Sequence, residues 1–460
     1  MRITLILTFC IVPTASLDAQ WRVGAAKESI TPEVGAGEPT VWMAGYGPGR
    51  PAAGVHDDLD ARAIAISDGE KIVVLVALDL IGYFHDQVQQ ARSMIKAAQA
   101  EPKIDYVIIC STHTHAGPDT LGLWGASRLQ TGVDQDYLAR VQQQIVDVSR
   151  QAVANIMPAK LSVAQIDVAD MVRDSRRPNV IDGRMTVMRA YKSDDETIAT
   201  LVAFPCHPES MNAENRLISS DFPGVSRAAL EDTFGGISVH VSTVIGGLMA
   251  PRVTGNDFAK MEIFGAEIAQ RAQVALAGRA VQIPGKIEFN RKPVWFTVGN
   301  PHYRAGWLTG VVGRQMFSNK RPVARPPVED LERTRKLINL QIKSEAAVVG
   351  IGPWQWVLVP GELYPEIALG EYQDPQDPGS DFIDADPEPA IYEMMTGRIQ
   401  TIIGLANDEV GYIIPKCQWD YHAPYCYERD TRQYGEINSC GVNVAPALTK
   451  VLAELLEDGQ

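Results

Sequence analysis

Residues 72–110 read IVVLVALDLIGYFHDQVQQARSMIKAAQAEPKIDYVIIC. The two ends of this stretch, residues 72–80 and 106–110, are apolar and rich in β-branched side chains, which is typical of buried strands. Between them, His85–Ala98 spaces its apolar residues three and four apart, the period of a helix. A strand, a helix and a second strand in succession predict an α/β unit, in which the helix packs on a sheet.

The same alternation continues along the chain. It predicts further strands at 200–204, 239–245 and 354–359, and helices at 136–154, 258–277, 329–343 and 444–455. Two Gly- and Pro-rich stretches, 45–54 and 374–389, are predicted loops of the kind that form the rim of a site. Residues 320–327 are predicted to be a connecting loop. The pattern as a whole indicates an α/β fold with helices packed over a sheet.

Composition limits the function classes. The 460 residues are long enough for two or three domains or one large core, and 45% of them are apolar. Lysine and arginine total 42 against 56 aspartates and glutamates, a formal net charge of −14. Because no local basic run offsets this charge, a nucleic-acid partner is not expected.

The amino terminus has the pattern of a secretory signal. Arg2 precedes an apolar run at residues 3–15, and the stretch 16–19 supplies a small residue before Gln20 or Trp21. We therefore expect residues 1–19 to be a signal peptide and residues 20–460 to form one large domain, exported to the periplasm or the medium. No later run approaches about 20 apolar residues, so no transmembrane segment is predicted.

Five cysteines remain after the signal. Cys110 and Cys206 each end or follow an apolar run and are expected to be buried as small hydrophobic residues. Cys417, Cys426 and Cys440 cluster near the carboxyl terminus, and in an exported protein two of the three can form a disulfide. The spacing does not favour a cysteine-ligated zinc site.

Three histidines follow predicted strands directly. His113 and His115 lie in STHTHAGPD, and His207 lies in FPCHPES. Ligand sites in open α/β sheets collect at the carboxyl ends of strands, and residues two apart in extended chain share a face. These histidines are therefore candidate ligands of one metal ion, although a single histidine at a strand end is more often an ordinary loop residue.

Carboxylate and phenol oxygens follow two later apolar runs. Glu362 comes just after residues 354–359, and Tyr412 ends an oxygen-rich segment after residues 401–405. Two or three histidines with a carboxylate suit zinc, which lowers the pKa of its water towards about 7 and supplies hydroxide at neutral pH. The alternatives are that Glu362 caps a helix, that Tyr412 is a packed aromatic, or that the metal is nickel or iron.

Other hydrolase templates do not fit. The HxHxDH pattern needs an aspartate where this chain has Gly117, and the sequence contains no HExxH. It also lacks the GxSxG elbow of serine hydrolases, the dinucleotide-binding GxGxxG and the P-loop. A zinc-dependent amidohydrolase barrel would place its HxH on the first strand of the mature chain, whereas several elements precede it here.

A series of short motifs resembles the neutral (non-lysosomal) ceramidases in their amino-terminal catalytic domain. STHTHAGP at 111–118 is similar to the family's GTHTHSGP, and GLANDEVGY at 404–412 is similar to GLxNxYxxY. Further matches, in the family's order along nearly the whole mature chain, are VGAA at 23–26, MAGYG at 43–47, CHPESM at 206–211, ISSD at 218–221 and PGE at 360–362.

The resemblance implies a mixed β-sheet core covered by helices, and a zinc site. By this resemblance the zinc ligands are His113, His207, Glu362 and Tyr412. His115 lies near them, contacting the substrate or the attacking water. The family hydrolyses the N-acyl amide of ceramide by attack of zinc-bound water on the carbonyl.

The same resemblance suggests further substrate contacts. Arg176, in a segment similar to the family's NRSP, is expected to hold a polar group of the substrate. Trp42, Met43 and Trp124 are candidates to line an acyl pocket, with core packing as the alternative.

Two departures from the family pattern affect the expected substrate. The segment 247–251 resembles a Gly-Asp-x-Ser-Pro stretch but carries Ala250 in place of the serine. The family's carboxy-terminal immunoglobulin-like domain is not expected in this chain, which ends at Gln460. The predicted activity is a zinc-dependent hydrolase of ceramide or a related lipid-like amide. The alternatives are a broader metal-dependent amidase or esterase, and a noncatalytic zinc-containing binding protein.

Overall fold

The computed structural model of the protein describes residues 21–255, 257–327, 330 and 339–458. Strands and helices alternate along the chain. The strands are β1 (Trp21–Ser29), β2 (Gly54–Val55), β3 (Asp60–Ser67), β4 (Ile72–Leu78), β5 (Tyr106–Ser111), β6 (Met157–Asp167), β7 (Val172–Asp174), β8 (Arg184–Tyr191), β9 (Thr197–Phe204), β10 (Leu217–Ile218), β11 (Ile237–Ser242), β12 (Met249–Pro251), β13 (Val281–Gln282), β14 (Ile287–Thr297), β15 (Met316–Ser318), β16 (Arg321–Val323), β17 (Leu340–Ile351), β18 (Trp354–Leu358), β19 (Glu362–Leu363), β20 (Ile399–Ile403) and β21 (Tyr412–Ile413). The helices are α1 (His85–Ala98), α2 (Gln135–Ala154), α3 (Phe222–Phe234), α4 (Phe258–Arg279), α5 (Pro301–Thr309), α6 (Pro365–Leu369), α7 (Ile391–Met394) and α8 (Val444–Glu457).

Two mixed sheets form the core. The larger has the order β11-β9-β8-β6-β1-β3-β4-β5, with β13 added beside β6. Most of its neighbours are antiparallel, but β4 and β5 run parallel, as do β9 and β11. The smaller sheet has the order β16-β15-β17-β18-β20, with β14 also paired to β17 and with β18 and β20 parallel. The predicted mixed-sheet α/β fold is therefore confirmed, with two large sheets at its core and three two-stranded pairs beside them in the described residues.

The two sheets pack face to face. This follows because alternate side chains of one strand belong to two different hydrophobic cores, one between the sheets and one beneath the helices. In β4, Val73 and Leu75 belong to the core between the sheets, while Val74 and Val76 belong to the core beneath the helices. In β18, Trp356 points into the same inter-sheet core. Since both faces of these strands are buried, their sequences are continuous apolar runs and do not alternate with polar residues.

Helices cover the two outer faces. Val141 and Ile145 of α2 pack against the larger sheet together with residues of α1, α3 and α4. Leu448 and Leu452 of α8 pack against the smaller sheet together with residues of α5, α6 and α7. The result is a four-layer arrangement of helices, sheet, sheet and helices. Helix α2 begins where predicted because the Asp134 carboxylate accepts from the backbone N–H groups of its first turn.

The predicted helix at 329–343 is wrong in its last part. Residues 329 and 331–338 lie outside the described residues, and Leu340 begins strand β17. In that strand Leu340 and Ile342 are buried, whereas Gln341 and Lys343 are more exposed. This period of two continues into an apolar run, and it indicates a strand rather than a helix.

Three smaller expectations have different outcomes. Cys110 and Cys206 are buried as expected, and Cys417, Cys426 and Cys440, two of which can form a disulfide by sequence, are free thiols in the structure. The segment 320–327 is not wholly a connecting loop, because β16 pairs with β15 there. Residues 1–19, the predicted signal peptide, lie outside the described residues. Among the helices of the described ranges, none combines the length and hydropathy needed to span a bilayer.

Candidate active site

The curvature of the larger sheet brings its two edge strands together. Ser242, the last residue of β11, donates its hydroxyl to the carbonyl oxygen of Thr112, just beyond β5, at 2.7 Å. His113 follows Thr112, and His207 follows β9, the neighbour of β11. Two histidines whose strands lie near opposite edges of the sheet therefore meet at one place, with ring centroids 5.2 Å apart.

The backbone fixes the orientation of both rings. Nδ1 of His113 lies 2.6 Å from the carbonyl oxygen of Ile81, and Nδ1 of His207 lies 2.8 Å from that of Met249. Because a carbonyl only accepts, each Nδ1 carries the proton and donates it. Each Nε2 is therefore the ring nitrogen that faces the cluster and is available to a metal, which is the usual arrangement of histidines in metal sites.

Glu362 and Tyr412 complete this group from the smaller sheet. They are direct partners in the short parallel pair β19 and β21, which continues beyond the ends of β18 and β20. Glu362 Oε2 lies 2.7 Å from His207 Nε2 and 3.6 Å from His113 Nε2, and Tyr412 hydrogen-bonds to the same carboxylate. The four residues predicted to be ligands are thus adjacent, and all four are buried.

His115 belongs to the same cluster. One ligand nitrogen from each of His113, His115 and His207 can be chosen so that all three lie within 4.8 Å of one another. Neither ring nitrogen of His115 has a hydrogen-bond partner, although both are buried. Its close approach requires Gly45, since a Cβ at that position would lie 2.5 Å from the His115 side chain. The conformation of Gly45, with a φ of 99°, also favours glycine.

The charges of the site favour neutral imidazoles at His113 and His115 and an ionised carboxylate at Glu362. Burial lowers the pKa of His113 to about 4 and that of His115 well below its usual value. Burial also opposes charge on His207, but its hydrogen bond to Glu362 and the charge of that carboxylate raise its pKa. Burial works against the charge of Glu362 as well, and the facing histidines outweigh it, so its pKa is lowered. Neutral imidazole and carboxylate are the forms that bind metals.

The donor set therefore fits a metal ion. Imidazole nitrogens and a carboxylate oxygen converge, and the unpartnered nitrogens of His115 lack the hydrogen bonds that buried polar atoms normally make. Imidazole with carboxylate is a ligand combination typical of catalytic zinc.

A cleft of about 790 Å³, its open mouth included, begins at this cluster. His113, His115, Glu362 and Tyr412 form one part of its wall. Most of the remaining wall is apolar and is formed by Ile81, Phe84, Leu121, Leu123, Trp124, Val298, Val312, Met316 and Ile342. An apolar wall thus lies beside the candidate metal site. Trp124 lines this cleft as predicted, whereas Met43 is fully buried in the core and Trp42 lines a separate surface cleft.

The two predicted rim loops differ. Gly45 of the first loop lies in the wall of the cleft, but no residue of 374–389 does. The second loop packs elsewhere, with Asp381 accepting from the backbone N–H of Tyr421 and Glu388 accepting from that of Lys416.

Asp119 holds the apolar wall in place. Its carboxylate accepts from the backbone N–H groups of Leu121, Gly122, Trp124 and Gly132 at 2.7–3.1 Å. These bonds fold the loop that presents three of the apolar lining residues. The sequence contained the signal for this role, since Asp119 ends the STHTHAGPD motif.

We expect Asp119→Ala to raise KM about tenfold for a long-chain N-acyl amide, because the loss of charged hydrogen bonds loosens the wall. KM for the N-acetyl analogue and the zinc content should stay within about twofold of wild type, because neither depends on the apolar wall. Asp134→Ala is the matched control, because Asp134 also accepts from backbone N–H groups but caps α2 outside the cleft wall. Equal KM changes for both chain lengths would contradict this role.

Arg176 is not part of the cleft wall. Its guanidinium donates to Glu436 Oε1 at 2.6 Å and to the Gln418 carbonyl oxygen at 3.0 Å, and it lies over the ring of Tyr364. The Arg176 and Glu436 side chains are 2% and 0% exposed. A buried carboxylate thus already pairs with this charge, and the contact with a polar substrate group stays a prediction.

The segment with Ala250 acts through its backbone. Met249 O accepts from both the backbone N–H and Nδ1 of His207, and Met249–Pro251 pairs with β7. Ala250 itself is buried. The position of the absent serine is thus part of a strand that orients His207.

Glu209, in the CHPESM motif, also lies beside the histidine cluster. Its Oε2 lies 3.7 Å from His115 Nδ1, and burial raises its pKa. Its place two residues after His207 was the available signal.

Comparison with known proteins agrees with this architecture. Residues 21–253 match the family model described as neutral/alkaline non-lysosomal ceramidase, N-terminal. Neutral ceramidase of Pseudomonas aeruginosa is 26% identical over 245 residues, covering 48% of this chain and 36% of that protein. Neutral ceramidase A of Dictyostelium discoideum is 27% identical over 228 residues, covering 45% and 31%. The matched segments thus span about a third of each of these relatives.

The fold is also shared with a solved structure. The crystal structure of neutral ceramidase from Pseudomonas aeruginosa superposes with a TM-score of 0.71 at 18% identity, covering 95% of this chain and 74% of that one. The family model, which spans half of the chain, shows that the chain belongs to the neutral/alkaline non-lysosomal ceramidase family.

Proposed function

We propose that the protein is an exported, zinc-dependent hydrolase that cleaves the N-acyl amide bond of ceramide or a related lipid-like amide. One observation carries the proposal. His113, His207 and Glu362 converge at one end of a cleft whose remaining wall is mainly apolar. Such a site places the carbonyl end of an acyl amide at the metal while its chain occupies apolar surface.

The proposed ligands are His113, His207, Glu362 and Tyr412, with residues 20–460 acting as one catalytic unit. When bound, zinc supplies a Lewis acid for the amide carbonyl and lowers the pKa of water, so that hydroxide becomes available near neutral pH. The Ile81 and Met249 carbonyls hold the two imidazoles in the ligating tautomer throughout.

His115 and Glu209 are the proposed proton-handling residues. The neutral imidazole of His115 carries one N–H, which can donate to the oxygen of the amide carbonyl as negative charge develops there. Glu209, with its raised pKa and its position beside His115, can accept a proton and return it to the departing amine. For Arg176 we propose a positioning role through Tyr364, whose ring packs edge-on against Tyr412 with centroids 5.9 Å apart.

The relatives' names support the substrate class, and the apolar wall supports a lipid-like acyl chain. The experiment is elemental analysis of zinc-refilled protein, with hydrolysis of ceramide in detergent micelles and of a matched amide and ester with the same acyl chain. We expect near-stoichiometric zinc and turnover of the amides that chelation abolishes and zinc restores.

The same samples separate the alternatives. Rapid ester cleavage with negligible amide cleavage would replace the proposal with an esterase. Zinc without turnover of any acyl substrate would favour a noncatalytic binding protein. Absence of zinc after refilling would exclude the ligand assignment.

A further inference from the structure

Two polar groups interrupt the apolar wall of the cleft. Glu409 and Arg314 both line it, at 5% and 7% exposure, among Phe84, Leu121 and Val312. Neither belongs to the proposed ligand set. In the motif GLxNxYxxY that residues 404–412 resemble, Glu409 occupies the position of the first tyrosine.

Only one oxygen of the Glu409 carboxyl group is satisfied. Oε1 accepts from the backbone N–H of Gly411 at 2.7 Å, while Oε2 is buried without a hydrogen-bond partner. The side chain is confined by its neighbours, since a Cβ on Gly82 would lie 2.8 Å from Glu409 Cγ. A buried carboxyl oxygen without a partner costs free energy, and a ligand that supplies a partner recovers it.

Arg314 adds a second unpartnered group beside it. Its two terminal nitrogens bond to the Asp408 carboxylate and to the Glu409 carbonyl oxygen, the latter at 3.1 Å, and its guanidinium lies over the ring of Phe84. The remaining donor, Nε, is buried without a partner. Since Asp408 already pairs with the charge of Arg314, the group left over is a single N–H donor and not a free cation.

We propose that the part of the substrate that enters this cleft carries a hydroxyl group on its apolar chain, bound by Glu409 Oε2 with Arg314 Nε as the neighbouring donor. This rests on the proposed function and specifies its substrate as a hydroxylated acyl amide. A hydroxyl group suits both partners, because it accepts from an N–H and either donates to a carboxylate or accepts from a carboxylic acid.

Charged substrate groups fit the part of the cleft formed by Glu409 and Arg314, called the polar corner below, less well than a hydroxyl group does. A substrate anion would face Glu409 and the nearby Glu362, and a substrate cation would face Arg314. Burial of either charge without a full partner is unfavourable. A plain alkyl chain would leave both Oε2 and Nε unsatisfied, and sites built around a substrate hydroxyl discriminate strongly against analogues that lack it.

The test compares two kinds of amide of one fluorogenic amine. The first is the amide of dodecanoic acid, and the others are amides of hydroxydodecanoic acids in which the hydroxyl is moved along the acyl chain one carbon at a time. The zinc-loaded protein is used for kcat/KM. Calorimetry with dodecanoic acid and the hydroxydodecanoic acids measures binding independently of turnover. For at least one hydroxyl position we expect kcat/KM to be higher and Kd lower by about tenfold than for the plain chain.

Two variants test the residue. Glu409→Leu removes both carboxyl oxygens, so the part of the wall beside Arg314 becomes more apolar. The hydroxyl preference, which is the ratio of kcat/KM for a hydroxylated chain to that for the plain chain, should then fall to about one or below. Glu409→Gln keeps an acceptor for Gly411 and a polar group toward the cleft, so it should retain most of the preference. The matched control is Glu388→Leu, because Glu388 also has one oxygen bonded to a backbone N–H and the other buried without a partner, but lies outside the cleft wall. Its preference should equal that of wild type.

The outcomes are separable from those of the proposed function. If no amide is hydrolysed but hydroxydodecanoic acid binds more tightly in a Glu409-dependent manner, the hydrolase proposal fails and the inference stands. If plain chains are bound and cleaved as well as every hydroxylated one, the inference fails. Ordered water would then supply the hydrogen bonds of Glu409 Oε2 and Arg314 Nε. Thermal unfolding and zinc content confirm that Glu409→Leu is folded. Should it not fold, an unchanged preference in Glu409→Met would overturn the inference.

Discussion

Glu362→Gln is expected to lose most of its zinc and to lower kcat/KM for an N-acyl amide by about 10³-fold or more, the scale of the several kcal/mol that a metal contributes to catalysis. The Glu362 carboxylate contacts Nε2 of His207 and lies within 4 Å of Nε2 of His113. Glutamine has nearly the same shape but no charge, and it is a much weaker ligand for zinc. Elemental analysis and steady-state kinetics on the same samples provide the measurement.

Glu366→Gln is the matched control for this substitution. Glu366 lies four residues further along, is equally buried and does not line the cleft. Burial raises its pKa to about 8, so the carboxyl group is largely uncharged at neutral pH and glutamine changes little. Zinc and activity retained in Glu362→Gln would overturn the ligand assignment. Their loss in both variants would indicate a general effect of altering buried glutamates.

The sequence points to His113, His207 and Glu362 because each directly follows an apolar run, and their role as ligands stays a prediction. The strands before His113, His207 and Glu362 are buried on both faces, and their composition marks them clearly. That the three chain segments meet is a different matter. It depends on the curvature of the larger sheet and on the Ser242 to Thr112 hydrogen bond, which no local pattern encodes.

The interior of the cleft is the part that residue patterns could not predict. Glu409 and Arg314 occur in segments with many charged and polar residues, and nothing in their spacing shows that they are buried against the wall. Burial of these side chains follows from the packing of the loop after β20 against the end of β5. There Asn407 accepts from the backbone N–H of Ile109 and donates to Tyr106.

Arg176 shows what a local motif leaves out. A motif similar to one with a substrate-binding role predicts a contact with substrate, yet the partner of this arginine is Glu436, 260 residues further along the chain. Only the fold can show that a distant carboxylate already pairs with this charge.

The structure therefore predicts a large effect of Arg176 on stability. Arg176→Met should lower the free energy of unfolding by about 3–5 kcal/mol, because it leaves the fully buried Glu436 carboxylate without its charge partner. Glu436→Gln should lower it on a similar scale by leaving Arg176 uncompensated. The denaturant midpoint of the zinc-loaded protein, followed by fluorescence and circular dichroism, provides the comparison.

The exposed pair formed by Arg271 and Asp170 provides the control. These side chains lie 2.7 Å apart but are 37% and 60% exposed, so Arg271→Met should cost less than about 1 kcal/mol. A double variant, Arg176→Met with Glu436→Leu, should recover part of the loss, since an apolar pair avoids a buried lone charge. If Arg176 instead binds substrate, Arg176→Met would keep the wild-type midpoint and raise KM, and Glu436→Gln would not reproduce that increase. A lowered midpoint shared by both single variants would assign Arg176 to the core that supports Tyr364 and, through it, Tyr412.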